Sequence, residues 1–146
     1  MKKIQMLFLV ALLSVFAFGG FYAFDDKFTT SMTGAAEVPG PGDTDGTGTA
    51  DIDVNQGQGD VCFEIKVSNI ATATLAHIHE AAAGQAGPPV VTLTAPNADG
   101  TSKDCVKNVD KELIKRIKDN PANFYVNVHN AEFPDGAIRG QLVKKP

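Results

Sequence analysis

Apolar and polar residues alternate with a period of two along most of the chain. The pattern is clearest where Val61, Phe63 and Ile65 alternate with Cys62 and Glu64. Because successive side chains of a strand point to opposite faces, one face of this segment is predicted to be buried and the other exposed. The segment is therefore typical of a strand in an antiparallel sheet.

Six further segments show the same alternation or the β-branched composition of strands. These predicted strands are residues 27–33, 49–54, 75–80, 89–94, 124–129 and 136–143. Between them, residues 34–48 and 55–60 are rich in glycine and other turn-forming residues, which predicts tight connections.

A single segment between Asp110 and Pro121 predicts a helix. Asp110 can cap its first turn, while Leu113, Ile114 and Ile117 form a narrow apolar stripe. The whole chain has 146 residues, enough for one domain. Seven short strands with turn-rich links, and one short helix near residues 110–120, predict an all-β Greek-key β-sandwich or barrel.

The first 24 residues have the layout of a secretory signal peptide. Lys2 and Lys3 precede an apolar stretch at residues 7–18, and small residues follow it. The alternative is an uncleaved N-terminal anchor, because the apolar stretch is almost long enough to span a bilayer. In either case residues 25–146 are predicted to form an exported domain, periplasmic or secreted, that meets a membrane only through this segment.

The charge balance is acidic, with 13 basic and 17 acidic residues and a formal net charge of −4. Removal of residues 1–24 takes two lysines and no acidic residue, which leaves 11 basic and 17 acidic residues, a net charge of −6. This balance argues against nucleic acid as the partner, since such affinity depends on Lys and Arg. Basic residues concentrate at 103–118, where they form either a solvated face or a docking site for an acidic partner.

The two cysteines, Cys62 and Cys105, are predicted to form a disulfide. In a small exported domain, two cysteines most often pair, because the compartment is oxidising. The alternative is a pair of free thiols.

The three histidines of the chain are its most informative residues. His77 and His79 are two residues apart on a predicted strand and therefore share a face, while Ile78 points to the core. By the same alternation, His129 shares the outward face of its strand with Tyr125 and Asn127.

If the two histidine-bearing strands lie close together, three imidazoles converge. Imidazole suits zinc, copper, nickel and iron, so the sequence predicts a metal site that depends on this convergence. The alternative is that the histidines are ordinary polar residues bonded to loop carbonyls.

Five stretches, taken in their order and spacing, resemble the CHRD (chordin-type) domain family. They are GAAEVP at 34–39, AHIH at 76–79, GQAGPPVV at 84–91, YVNVH at 125–129 and FPDGAIRGQL at 133–142. The resemblance spans about residues 28–142 and implies an exported binding module with an unidentified extracytoplasmic ligand or protein partner. The family usually has an acidic residue at the position of Ala137, so the role of that carboxylate does not carry over.

A shorter stretch is similar to the copper–zinc superoxide dismutases, through the His-x-His-Glu strand, the turn after it and the late histidine. This likeness implies that His77, His79 and His129 bind copper on the outside of a Greek-key barrel. The predicted architecture stays open between an immunoglobulin-like and a superoxide-dismutase-like one. The chain has no fourth histidine, so the likeness transfers one copper ion and not a copper–zinc pair.

Three neighbouring polar residues complete the predicted site. Arg139 is expected near the copper as an anion-steering guanidinium, and Glu80 and Asn127 are expected to support the ligands. The sequence shows no other catalytic constellation. Two functions therefore stay open, a binding module of unknown ligand and a mononuclear copper protein in copper handling or superoxide dismutation.

Overall fold

The computed structural model describes residues 26–146, so the predicted signal peptide or anchor at residues 1–24 lies outside the described residues. Nine strands and one α-helix run through this part of the chain: β1 (Asp26–Thr33), β2 (Thr47–Asn55), β3 (Asp60–Ser68), β4 (Ala73–Glu80), β5 (Pro89–Leu93), β6 (Thr101–Val106), α1 (Lys111–Asp119), β7 (Phe124–Asn130), β8 (Ile138–Gln141) and β9 (Val143–Lys144). Within residues 26–146, no helix is long and apolar enough to cross a membrane.

The strands form one antiparallel sheet in the order β5-β4-β7-β8-β1-β2-β3-β6, and β9 also pairs with β1. The two end strands approach each other just beyond β5. There Ser102 Oγ donates a hydrogen bond of 2.7 Å to the Thr94 carbonyl, and Thr94 Oγ1 donates one of 2.9 Å to Asp104. The sheet is therefore a nearly closed barrel.

The connections are of the Greek-key type. Strands β4, β5 and β6 follow one another around the barrel, and the chain then returns through α1 so that β7 pairs with β4. The resulting spatial order, 7-4-5-6, is that of a Greek key. The predicted all-β Greek-key class is confirmed.

All seven predicted strands are found with slightly shifted bounds, and the segment predicted at 136–143 divides at Leu142 into β8 and β9. Strand β6 was not predicted. It lies at the end of the strand order, and its buried position is occupied by Ser102 rather than by an apolar residue. A strand without apolar alternation gives no period-two signal.

The inward side chains of the strands fill one apolar core. Phe28, Ile52, Ile65, Ile78 and Val126, which come from five different strands, are all fully buried in it. The register of each hydrogen-bonded pair keeps these positions on the same face, since a slip by one residue would turn them outward.

Helix α1 packs on this core through its predicted stripe. Leu113, Ile114 and Ile117 are buried, and Asp110 caps the helix by accepting a hydrogen bond of 2.9 Å from the Glu112 amide. Burial of each large aliphatic side chain stabilises by about 1.5–3 kcal/mol. This packing holds the short helix, because a helix of this length is only marginally stable alone.

Three of the four basic residues of α1 are paired within the chain. They contact acidic side chains: Arg116 with Glu80, Lys115 with Asp119, and Lys118 with Asp26. The basic helix and the acidic strands thus neutralise each other in part. This arrangement favours a solvated charged face over a docking site for an acidic partner.

The predicted disulfide is present. Cys62 on β3 and Cys105 on β6 lie directly opposite each other in the strand register and are bonded. The bond fastens the end strand β6 to the body of the barrel.

Candidate metal centre

The outer face of β4, β7 and β8 carries a continuous group of polar and aromatic side chains, here called the histidine face. It comprises His77, His79, Tyr125, Asn127, His129, Arg139 and Gln141. Strand pairing sets His77 opposite Asn127, and His79 opposite Tyr125. Their chain neighbours, among them Ile78 and Val126, point into the core, as the alternation predicted.

This outward face is not open to water over β7. Three loops cover it, at residues 34–46, 81–88 and 131–137. As a result Asn127 is 2% exposed and His129 is 7% exposed. The alternation correctly predicted that these side chains leave the core, and on β7 the loops bury them on the outer face.

The three histidines converge. His77 Nδ1 lies 3.2 Å from His129 Nε2. One ring nitrogen of each histidine lies within 4.8 Å of the corresponding atoms of the other two. The condition on which the predicted metal site depended, that the two strands lie close together, is met because β4 pairs directly with β7.

Backbone carbonyls of the covering loops orient two of the rings. His79 Nδ1 lies 2.9 Å from the Gly87 carbonyl, and His129 Nδ1 lies 2.9 Å from the Pro134 carbonyl. A carbonyl only accepts, so each Nδ1 carries the proton and each Nε2 keeps its lone pair. The same arrangement orients metal-ligating histidines in proteins.

One of these lone pairs has no partner. His79 Nε2 is buried, and no hydrogen-bond donor among residues 26–146 reaches it. An unsatisfied buried polar atom is unusual and typically marks an ion, a water or a functional strain.

The electrostatics favour neutral imidazoles at two of the three histidines. Burial, together with the neighbouring His129 and His79, lowers the pKa of His77. Burial also lowers the pKa of His79, and it outweighs the opposing effect of the Gly87 carbonyl. Neutral imidazole is the form that binds a metal, so both shifts favour the form of His77 and His79 that can be a ligand.

The spacing of the nitrogens fits one ion. Two imidazoles on a tetrahedral ion lie with their nitrogens about 3.3 Å apart, given metal–nitrogen bonds of about 2.0 Å. The pair His77 and His129 has this spacing already, and a ring nitrogen of His79 lies within 4.8 Å of both. His77 is the least buried of the three and neighbours Leu75, which is 50% exposed. The cluster therefore meets solvent on the His77 side.

Behind His79 lies a stack of two further side chains. The Tyr125 ring is parallel to the His79 ring, with centroids 4.8 Å apart, and Arg139 Cζ lies 3.4 Å above the Tyr125 centroid. Arg139 is 1% exposed. Arg139 lies behind the Tyr125 ring and away from solvent. An anion-steering role needs a guanidinium that ions in solution can approach, and the position of Arg139 does not offer this.

The other two predicted supporting residues have different partners. Asn127 Nδ2 donates to both carboxylate oxygens of Glu37, at 2.6 and 2.8 Å. The carboxylate of Glu80 accepts two hydrogen bonds of 3.0 Å from Arg116. Glu80 therefore anchors helix α1, and Asn127 anchors the loop that carries Glu37.

The family model of the CHRD domain matches residues 28–142. The chain belongs to the CHRD-domain family. The match begins in β1, ends after β8 and includes every residue of the histidine face. No curated protein matches the chain. Membership supports a binding role for this CHRD domain.

Two contributors to the site of this CHRD domain were given no role from the sequence. The alternation correctly placed Tyr125 on the outward face with His129, but it gave no sign that the ring stacks on His79. Glu37 lies in a covering loop, and no periodicity links it to Asn127. Glu37 is 5% exposed, and burial raises the pKa of its carboxyl to about 7 against the lowering effects of Asn127 and Arg139.

Proposed function

We propose that this CHRD domain is an exported binding module that holds one copper ion on His77, His79 and His129. The observation that carries the proposal is the unpartnered, buried Nε2 of His79, found among residues 26–146 beside the two other imidazoles. Leaving a buried polar atom unsatisfied costs about 1–3 kcal/mol. A metal ion bound by the three nitrogens removes that cost.

The donor set supports copper as the ion. The one group with metal-ligand spacing in the described part of the chain consists of histidines only, without carboxylate or thiolate. For such nitrogen sites the affinity of divalent ions is highest for copper, with zinc the nearest abundant competitor. Neutral imidazoles do not offset the charge of the ion. We therefore expect the site to bind copper with moderate affinity, unlike a closed structural metal site.

The surrounding residues support a site that binds a small molecule. His79 and His129 are fixed by loop carbonyls, while the half-buried His77 lies at the solvent edge. A copper ion with three protein ligands would supply Lewis-acid or one-electron chemistry at a position left open. Copper handling and superoxide dismutation are the two activities consistent with this arrangement.

The disulfide supports export. Structural disulfides persist in oxidising compartments, and Cys62–Cys105 joins two neighbouring strands of the native barrel. Together with the layout of residues 1–24, it favours a periplasmic or secreted protein.

Copper titration of the purified, metal-free protein tests the proposal. Competition against a chelator should give one copper per chain, and the single variants His77→Ala, His79→Ala and His129→Ala should each lose more than about 100-fold in affinity, because outer-shell changes alone cost about 10- to 100-fold. Glu80→Gln is the matched control, since Glu80 neighbours His79 in sequence but binds Arg116, and it should bind copper as the wild type does.

Two results would overturn the copper proposal. The first is a wild-type protein that takes up no stoichiometric copper, which would leave a metal-free binding module. The second is zinc binding that exceeds copper binding at the same histidines, which would keep the metal site and change its ion. Circular dichroism of each variant shows whether its loss of binding comes from the ligand or from unfolding.

A further inference from the structure

Arg139 is a buried cation on the far side of the aromatic ring that stacks on His79. We propose that the Arg139 guanidinium, held behind Tyr125, biases the histidine cluster toward the lower oxidation state of its ion, Cu(I) over Cu(II). The inference rests on the proposed function, because it requires copper at the three histidines.

The charge of Arg139 is neither screened by solvent nor cancelled by a direct ion pair. The side chain is 1% exposed. Among the described residues, the acceptors of its hydrogen bonds are neutral: Nη2 donates to the Ala82 carbonyl at 3.1 Å and to Gln141 Oε1 at 3.0 Å. Its Nη1 is buried and finds no partner within residues 26–146.

Glu37 is the acidic residue that interacts with Arg139 through space. Its carboxylate is held by Asn127 rather than by the guanidinium. Burial raises the pKa of Glu37 to about 7, so below that pH it is largely protonated and leaves the charge of Arg139 uncompensated.

The Tyr125 ring that separates this cation from His79 is held in place by Gly87. The Gly87 amide donates a hydrogen bond of 3.2 Å to Tyr125 Oη, and Tyr125 Oη donates one of 3.4 Å to the Gly87 carbonyl. That carbonyl also orients His79. Tyr125 is therefore a spacer of defined thickness between a ligand of the ion and a positive charge.

Coulombic repulsion from this charge is stronger for Cu(II) than for Cu(I) by one unit of charge. Arg139 and the ion are separated by the thickness of the Tyr125 and His79 stack. At that separation and an effective dielectric constant of about 20, one additional unit of charge on the copper ion changes its binding equilibrium by about tenfold or more. Removing the charge of Arg139 should therefore strengthen Cu(II) binding relative to Cu(I) binding and lower the reduction potential of the site.

The test measures Cu(I) and Cu(II) affinities of the purified protein separately, by competition with chelators selective for each ion. The Cu(I)-to-Cu(II) affinity ratio should fall about tenfold in Arg139→Gln and in Arg139→Met. Arg139→Lys keeps the charge and loses the planar stack, so its ratio should stay within about threefold of the wild type. Redox titration of the copper-loaded proteins should show the same order.

If the Cu(I)-to-Cu(II) affinity ratio fell equally in Arg139→Lys and Arg139→Gln, the inference would be overturned, because a packing role of Arg139 would explain both results. An unchanged ratio in glutamine and methionine variants that still bind copper would overturn it alone and leave the copper site intact. Failure of the wild type to bind copper in either oxidation state would overturn the proposed function, and the inference with it. The two neutral variants differ in hydrogen bonding, so a folded protein from either one suffices for the comparison.

Discussion

Replacing Glu37 by glutamine should abolish a loss of stability that the wild-type domain undergoes between about pH 4.5 and 7. Glu37 is 5% exposed, and burial raises the pKa of its carboxyl from 4.5 to about 7. Glutamine has nearly the same shape and can still accept a hydrogen bond from Asn127. It has no carboxyl proton to lose.

The sign and size of the effect follow from the two pKa values. A carboxyl with a higher pKa in the folded state than in the unfolded state binds its proton more tightly when folded. Its contribution to stability is therefore complete below the unfolded value of 4.5 and is lost as the pH rises through about 7. Each pKa unit corresponds to about 1.4 kcal/mol, so the loss amounts to about 3 kcal/mol.

Urea unfolding of metal-free wild-type protein and Glu37→Gln, from about pH 4 to pH 8, measures this directly. His77 and His79 titrate in both proteins, so the difference in unfolding free energy between the two isolates Glu37. The difference should move by about 3 kcal/mol in favour of the variant across this range. Glu132→Gln, which removes an exposed carboxyl from a covering loop, is the control for the substitution itself. A pH-independent difference between the wild type and Glu37→Gln would refute the buried, protonated carboxyl.

Three further predictions concern the supports of the barrel and the site. Replacing Cys62 and Cys105 by serine should cost about 4 kcal/mol in urea unfolding, while the copper affinity stays unchanged; a large fall in affinity would mean that β6 shapes the site. Arg116→Ala should leave the urea midpoint nearly unchanged, since the ion pair with Glu80 that it breaks is largely exposed. A changed copper affinity would contradict the conclusion that Glu80 anchors the helix and does not support the histidines. A Cβ at Gly87 would lie 2.1 Å from a backbone oxygen of β4, so Gly87→Ala should displace the carbonyl that orients the histidine and weaken copper binding about tenfold. Gly57→Ala, where the added Cβ has room, should leave the binding unchanged.

The sequence predicted the faces of the strands well, because strand parity is a local property. Ile78 and Val126 point inward and the three histidines point outward, as the alternation required. The disulfide followed from the number of cysteines and the inferred compartment. Strand β6 escaped prediction because its single buried position holds Ser102, so the alternation that marks the other strands is missing.

The convergence of the histidines could not be read from the sequence. It depends on the direct pairing of β4 with β7, which are separated along the chain by two strands and the helix. The burial of Arg139 and Glu37 could not be predicted from the sequence either, because the loops that cover them show no periodicity. Local alternation thus identified the metal-ligating candidates, while long-range pairing and loop packing determined their surroundings.

Anomalous diffraction from copper-loaded crystals, recorded on both sides of the copper absorption edge, tests whether the three histidines hold copper. We expect one copper peak per chain, about 2.0–2.2 Å from His77 Nδ1, His79 Nε2 and His129 Nε2. A crystal saturated with copper whose peaks lie elsewhere, with no density among the three imidazoles, would contradict this expectation.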